Sequence, residues 1–280
     1  MGKAVKVIPK KRKKTILDKI VEDKRPEIEE LQDEYDLGDY IQAAMQVDDD
    51  RDFMAAVTGG ERINLIAEVK KASPSAGIIR EDFDPVAIAK AYEEAGASAI
   101  SVITEKNHFK GNLDYLRQIR ETVNLPLLRK DFIVDEYQVV ESKLAGADAV
   151  LLICGLLDWR RVLSLMKLTK RLRMASLVEV HNTRELDIAL IAGADLLGIN
   201  NRDLETFEVD LDTTARLSCH IHDPIPIVAE SGITTPEDLA QLKLSGCKAV
   251  LVGESLLRQP DVKVAIKNLF RDEWADISEA

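Results

Sequence analysis

One short phrase recurs along the chain: Ala95-Gly96-Ala97-Ser98, Ala145-Gly146-Ala147-Asp148, Ala192-Gly193-Ala194-Asp195 and Ser245-Gly246-Cys247-Lys248. An apolar run follows each copy at once. Glycine enters the left-handed conformation at a helix C-terminus without steric penalty, so the phrase predicts a helix stop and a short loop feeding a buried strand. The copies stand about fifty residues apart, roughly two βα units each, which points to a repeating α/β architecture.

Further apolar runs complete a set of eight expected strands, at 65–70, 99–104, 126–130, 149–153, 175–180, 196–200, 225–230 and 249–253. Helical patterns separate them. Asp84-Pro85 opens the pattern at 86–95 and Thr235-Pro236-Glu237-Asp238 opens that at 239–244, with Pro in the first turn where its missing N–H costs nothing. Hydrophobic residues make up 46% of the chain but aromatics only 5%, so the core is aliphatic, as parallel strands buried on both faces require. No GxGxxG follows the first strand, which favours a closed (β/α)₈ TIM barrel over a doubly wound open sheet. The expected organisation is an N-terminal helical extension over 1–63, packed on a catalytic barrel over 64–280. Helical spacing in the extension is visible at 15–21 and 41–45.

The net charge of -11 repels polyanions, arguing against nucleic acid and acidic membranes as partners. Cys154, Cys219 and Cys247 lie far apart with no CxxC pairing, the pattern of free thiols in a reducing compartment. No apolar run reaches membrane-spanning length and the start lacks a signal-peptide core, so the chain reads as cytoplasmic. It is expected to be a monomer. The basic run Lys10-Lys11-Arg12-Lys13-Lys14 reads as a solvated arm rather than a localisation signal. His220 and His222 share a loop with no third ligand nearby in sequence, so they read as surface residues and no metal is expected.

The functional signal lies where charges end apolar strands. Side chains alternate across a strand, so in Ile66-Ala67-Glu68-Val69-Lys70 both Glu68 and Lys70 share the side of Ile66, taken as the barrel lumen. By the same parity Lys130 aligns with Leu128, Glu179 with Leu177 and Glu230 with Val228. Five charges therefore converge at the C-terminal mouth. They could form a polar layer that merely caps the core. Burying several charges for stability alone is unfavourable, however, and this face is where barrels carry catalytic groups. Crowded ammonium and carboxylate groups shift one another's pKa and become usable acids and bases. A second constellation, Ser231-Gly232-Ile233 and Gly253-Glu254-Ser255, places small residues after the last two strands. Backbone N–H groups and the start of a helix near Ser255 can hold a phosphate there. Phe109 and Phe132 follow strands two and three, where an aromatic serves loop packing or a ligand cup with equal ease.

The segment Ile66-Ala67-Glu68-Val69-Lys70-Lys71-Ala72-Ser73-Pro74-Ser75 resembles the first-strand signature of indole-3-glycerol phosphate synthases. Five further segments resemble the family's other motifs in order: Leu128 to Ile133, Leu177 to His181, Gly198 to Leu204, Val228 to Ile233 and Val252 to Leu256. The resemblance runs from about Thr15 to about Pro260. It implies closure of the indole ring of 1-(2-carboxyphenylamino)-1-deoxyribulose 5-phosphate with loss of carbon dioxide and water. It implies Lys130 as general acid, Lys70 and Glu179 as further acid and base groups, Glu68 and Glu230 as supporting carboxylates, and Asn200 as a polar contact. The substrate carboxylate would lie near Ser73 and Arg202. Phosphate would meet Lys70 and the backbone at Ser231, Gly232, Gly253 and Glu254, while Pro74, Phe109, Phe132, Leu151 and Leu204 would cup the anilino ring. No cofactor is implied. Glu254 departs from the small residue often found there, and fits only if its carboxylate turns away from the phosphate. The chain reads as monofunctional, with 71–77 a candidate lid. Competing readings are a phosphosugar isomerase, a Schiff-base aldolase using Lys130, and a non-catalytic binding protein on the same fold.

Overall fold

Four of the apolar runs become strands directly after the repeated glycine stops, and the others alternate with them. In the computed structural model, which describes residues 16–48, 51–204 and 206–274, these strands are β1 (Asn64–Val69), β2 (Ala99–Ile103), β3 (Leu127–Lys130), β4 (Ala149–Ile153), β5 (Ala175–Val180), β6 (Leu197–Asn200), β7 (Ile227–Glu230) and β8 (Cys247–Val252). All pairings between neighbours are parallel, and β8 returns to β1, so the sheet closes into a barrel. Each observed strand lies within two residues of its expected limits.

Three helices precede the barrel: α1 (Ile16–Glu34), α2 (Leu37–Met45) and α3 (Phe53–Thr58). Around it run α4 (Pro85–Glu94), α5 (Leu113–Arg120), α6 (Glu136–Leu144), α7 (Trp159–Arg171), α8 (Thr183–Ala192), α9 (Asp212–Ser218), α10 (Pro236–Leu244), α11 (Glu254–Leu257) and α12 (Val262–Leu269). Proline stands at the first turn of α4 and α10, after the caps Asp84 and Thr235. The four repeated glycines, Gly96, Gly146, Gly193 and Gly246, all have φ between 77° and 92°, the conformation that the repeated phrase predicts.

The parity read from the sequence holds. Ile66, Leu128, Leu177 and Val228 belong to a cluster in the lumen, whereas their neighbours Leu65, Leu127, Val178 and Ala229 pack outward against the helices. Helix α3 was not anticipated. It seats Phe53 and Val57 on the N-terminal end of the lumen beside Ala99, Leu196 and Ala249, and Asn64 Nδ2 donates to the carbonyls of Val57 and Gly59. At the opposite mouth, Ile20 of α1 joins the cluster containing Phe132, and Lys24 pairs with Asp131 at 3.0 Å. Among the described residues no helix is long and apolar enough to cross a membrane. The basic run at 10–14 lies outside the described residues.

Candidate active site

At the C-terminal mouth, β1, β3, β5 and β7 each carry, at their last or next-to-last residue, a charged side chain that follows an apolar lumen residue by two positions. The period of two thus delivers Glu68, Lys130, Glu179 and Glu230 into one cavity of about 340 Å³, with Lys70 just beyond β1. Every residue expected in the site lines that cavity: Glu68, Lys70, Ser73, Pro74, Phe109, Lys130, Phe132, Leu151, Glu179, Asn200, Arg202, Leu204, Glu230, Ser231, Gly232, Gly253 and Glu254.

Lys130 sits at the centre. Its Nζ donates to Glu179 Oε2 at 3.2 Å and lies 3.1 Å from Glu230 Oε2. Burial disfavours its charge, but Glu179, Glu230 and Glu68 outweigh burial and hold the ammonium above the usual lysine range. The two carboxylates diverge. Burial would raise Glu179, yet Lys130, His181 and Asn200 outweigh it and hold it well below the carboxylate range. Burial pushes Glu230 up to about 7 despite Lys130, because the charges of Glu179 and Glu68 add to it. Titratable neighbours driven apart in this way are suited to different proton-transfer roles at one pH. Lys70 Nζ lies 2.6 Å from Glu68 Oε1.

Two glycines make room for this cluster. A Cβ on Gly253 would lie 2.5 Å from Glu68 Oε1, and one on Gly198 would overlap Glu230 Oε1. Asn200, in register with Glu230, donates to Glu179 Oε1 at 3.3 Å and accepts from the Arg202 backbone N–H at 3.0 Å. Beyond β7, Ser231 and Gly232 take φ of 64° and 82°. A serine held there is strained backbone of the kind found at functional sites. Helix α11 starts at Glu254, one residue earlier than expected, and has a single turn. The Glu254 carboxylate accepts from Arg258 Nε at 3.0 Å and Nη2 at 2.8 Å, so it is drawn onto the cation.

The apolar wall comes from Leu151 and from Phe109 and Phe132, whose ring centroids stand 6.1 Å apart. Phe109 is held by Glu105, which sequence reading missed: its carboxylate accepts the backbone N–H groups of Asn107, His108 and Phe109 at 2.7 to 2.9 Å. Arg258 was missed too, and only its i,i+4 spacing from Glu254 could have exposed it. The loop after β1 folds into a small antiparallel ribbon pairing Ala72–Ser73 with Gly77–Ile78. His181, two residues after Glu179, was also overlooked, although the parity argument extends to it: its ring lies 3.1 Å from Glu179 Oε1. His220 is exposed and His222 is exposed, as read. No cluster able to hold a metal occurs among the described residues.

The sequence family model for indole-3-glycerol phosphate synthase matches residues 17–269. The chain belongs to the indole-3-glycerol phosphate synthase family. Relatives bearing that name include one from Rhodopirellula baltica, 48% identical over 91% of this chain and 98% of its own. Another, from Rippkaea orientalis, is 46% identical over 94% of this chain and 92% of its own. Among solved structures, 3-hexulose-6-phosphate synthase from Salmonella typhimurium aligns with a TM-score of 0.61 at 15% identity, over 75% of this chain and 97% of its own. A mandelate oxidase aligns at 0.58 and 16%, over 76% of this chain and 73% of its own. At such identity these two likenesses speak for the barrel alone. Membership of the synthase family is carried by sequence, and the site described above is the one its matched segment builds.

Proposed function

We propose that the chain is an indole-3-glycerol phosphate synthase of tryptophan biosynthesis. It would convert 1-(2-carboxyphenylamino)-1-deoxyribulose 5-phosphate to indole-3-glycerol phosphate, carbon dioxide and water, acting as a carboxy-lyase. The observation that carries this reading is the Lys130 ammonium held between Glu179 and Glu230 at 3.2 and 3.1 Å, beside an aromatic wall.

In the proposed first step the ring carbon bearing the carboxylate bonds to the ketone carbon, and Lys130 gives its proton to the ketone oxygen. The carbon–carboxylate bond then breaks, its electron pair restores the aromatic ring, and carbon dioxide leaves. In the second step the new hydroxyl departs as water with a proton from Lys70. Glu179 takes a proton from the methylene carbon attached to nitrogen, and the double bond of the five-membered ring forms. One proton is consumed overall, balancing the carboxylate charge lost as carbon dioxide. Glu68 would orient Lys70 and Glu230 would orient Lys130. Asn200 would contact the reacting portion, Ser73 and Arg202 the carboxylate, and Pro74, Phe109, Phe132, Leu151 and Leu204 the anilino ring. The phosphate dianion would lie against Lys70 and the backbone of Ser231, Gly232, Gly253 and Glu254.

The charge state of Lys130 speaks against the Schiff-base alternative. An imine requires a neutral amine, and carboxylates on two sides favour the ammonium. Incubating the purified chain with the carboxyphenylamino ribulose phosphate should generate indole fluorescence. Folded protein that yields none would end this reading, and a borohydride-trapped adduct at Lys130 would replace it with the aldolase.

A further inference from the structure

Glu179 has a third favourable neighbour besides the Lys130 ammonium and the neutral Asn200 amide. His181 follows it by two positions, just past β5, so both side chains leave the strand on the same side. Its Nε2 lies 3.1 Å from Glu179 Oε1, a short charge contact rather than an aligned hydrogen bond. The other ring nitrogen, Nδ1, lies 2.9 Å from Glu185 Oε2. Glu185 is fixed in turn, since its Oε2 accepts the His181 backbone N–H at 2.9 Å and its Oε1 accepts from Asn182 Nδ2 at 2.8 Å. The ring is largely buried, with its side chain 10% exposed.

A neutral imidazole carries one N–H and one lone pair. A lone pair on Nδ1 would face the Glu185 carboxylate at 2.9 Å, and one on Nε2 would lie beside the Glu179 carboxylate at 3.1 Å, so either would be repelled. Only the doubly protonated ring meets both partners favourably. The electrostatics agree: burial disfavours the charged ring, but Glu179 and Glu185 overcome this and raise it to about 10.

That charge matters at one moment of the proposed chemistry. When Lys130 releases its proton to a substrate, Glu179 loses the cation 3.2 Å away. A buried carboxylate without a counter-charge gains proton affinity. We propose that His181 is a positioning residue, an imidazolium clamped between Glu179 and Glu185 that keeps Glu179 charged and oriented while Lys130 gives up its proton. This rests on the reading of Lys130 and Glu179 as acid and base. The other titratable groups around the clamp are Lys130 on β3, Glu230 on β7, Glu68 and Lys70 at the end of β1, and Cys154 after β4. Cys154 is itself pushed up to about 12, by burial and then by Glu185 and Glu179, so it stays neutral.

Two measurements on the full chain test the clamp. The first is nitrogen-15 NMR of the wild-type histidines, with the His181 signal assigned by its absence in His181→Gln, or by its shift in Glu185→Gln if the first variant does not fold. The ring is expected to remain doubly protonated at about pH 8, well above the ordinary histidine range of roughly 6.5. A neutral ring at that pH overturns the proposal. The second is the pH profile of His181→Gln. Its acid limb, set by the coupled Glu179 and Glu230 pair, should move up by about one unit. At neutral pH kcat should fall about tenfold, with KM within about twofold of wild type. A folded variant with an unshifted acid limb overturns the proposal, because a residue that only packs would lower activity without moving it. A wild-type chain that forms no indole product would instead sink the synthase reading, and the NMR measurement would still decide the charge of the clamp.

Discussion

Lys130 and Arg129 are neighbours in sequence and point to opposite faces of the same strand, and the two cation sites they form are built differently. Outside the barrel, Arg129 donates to Thr104, the Gln138 carbonyl, Glu141, Ser142 and Asp131 at 2.8 to 3.4 Å. Asp131 also accepts from Thr104 at 2.6 Å and from Lys24, whose side chain is only 1% exposed. Inside the barrel, Lys130 has two carboxylates, and Glu230 Oε1 has no hydrogen-bond partner among the described residues. The outer cluster is saturated by protein and fastens α1 to the barrel. The inner one keeps hydrogen-bonding capacity open toward a cavity. On the proposed reading, the buried charge that holds structure is satisfied by its own chain, whereas the one that would do chemistry keeps acceptor capacity on the side of the cavity.

The comparison breaks if the inner lysine behaves like the outer one. Lys130→Ala should lower kcat by about 10² to 10⁴, the range for a lost general acid. Its thermal stability should change less than that of an outer-cluster variant, since Glu230 readily takes up a proton in place of its partner. Asp131→Asn should show the reverse, losing about 3 kcal/mol of stability in denaturant titration, because Lys24 and Arg129 lose the fully buried anion they share and keep only the more exposed Glu27 and Glu141. Equal activity losses in the two variants would erase the distinction.

The pH dependence of stability sharpens it further, because the two clusters slope in opposite directions. Asp131 is held low in the fold by Lys24 and Arg129, which outweigh burial, so its contribution is present above the ordinary carboxylate range and is lost as pH falls. Glu230 is raised to about 7 by burial and negative neighbours, so the fold binds a proton there that the unfolded chain has released, and stability drains away as pH rises toward that value. The melting temperature of Glu230→Gln relative to wild type should therefore become more favourable between about pH 5 and about pH 7.5. A difference that does not change over that interval would contradict the raised state of Glu230. The smallest effect belongs to the rim of the outer cluster. Glu141→Gln weakens one charged contact to Arg129 at 2.8 Å while four other partners remain, so it should cost about 1 kcal/mol in the same titration and leave turnover unchanged.

What could be read from sequence follows the same division. The eight strands and the five converging charges were legible because both depend on local patterns: a glycine stop, an apolar run, and alternation that sends Glu68, Lys130, Glu179 and Glu230 inward. The outer cluster was not legible, because Lys24 and Asp131 are 107 positions apart and nothing local marks either as a partner of the other. Glu105 was hidden for a different reason. Its task is to accept three backbone N–H groups of its own loop, and a glutamate in a loop looks like any solvated charge. His181 was within reach, since the parity used for Glu179 applies to it equally. Helix α3 is a six-residue segment, too short for its periodicity to stand out.

That short helix closes off one end. With the lumen filled by Ile66, Leu128, Leu177 and Val228 and its floor covered by Phe53 and Val57, the barrel is a cup and not a tube, and under the proposed function everything would enter and leave through the one mouth. For the proposed reaction, gas, water and the bulky indole phosphate would share one doorway, so the small molecules would have to slip past the larger one or wait for it to go.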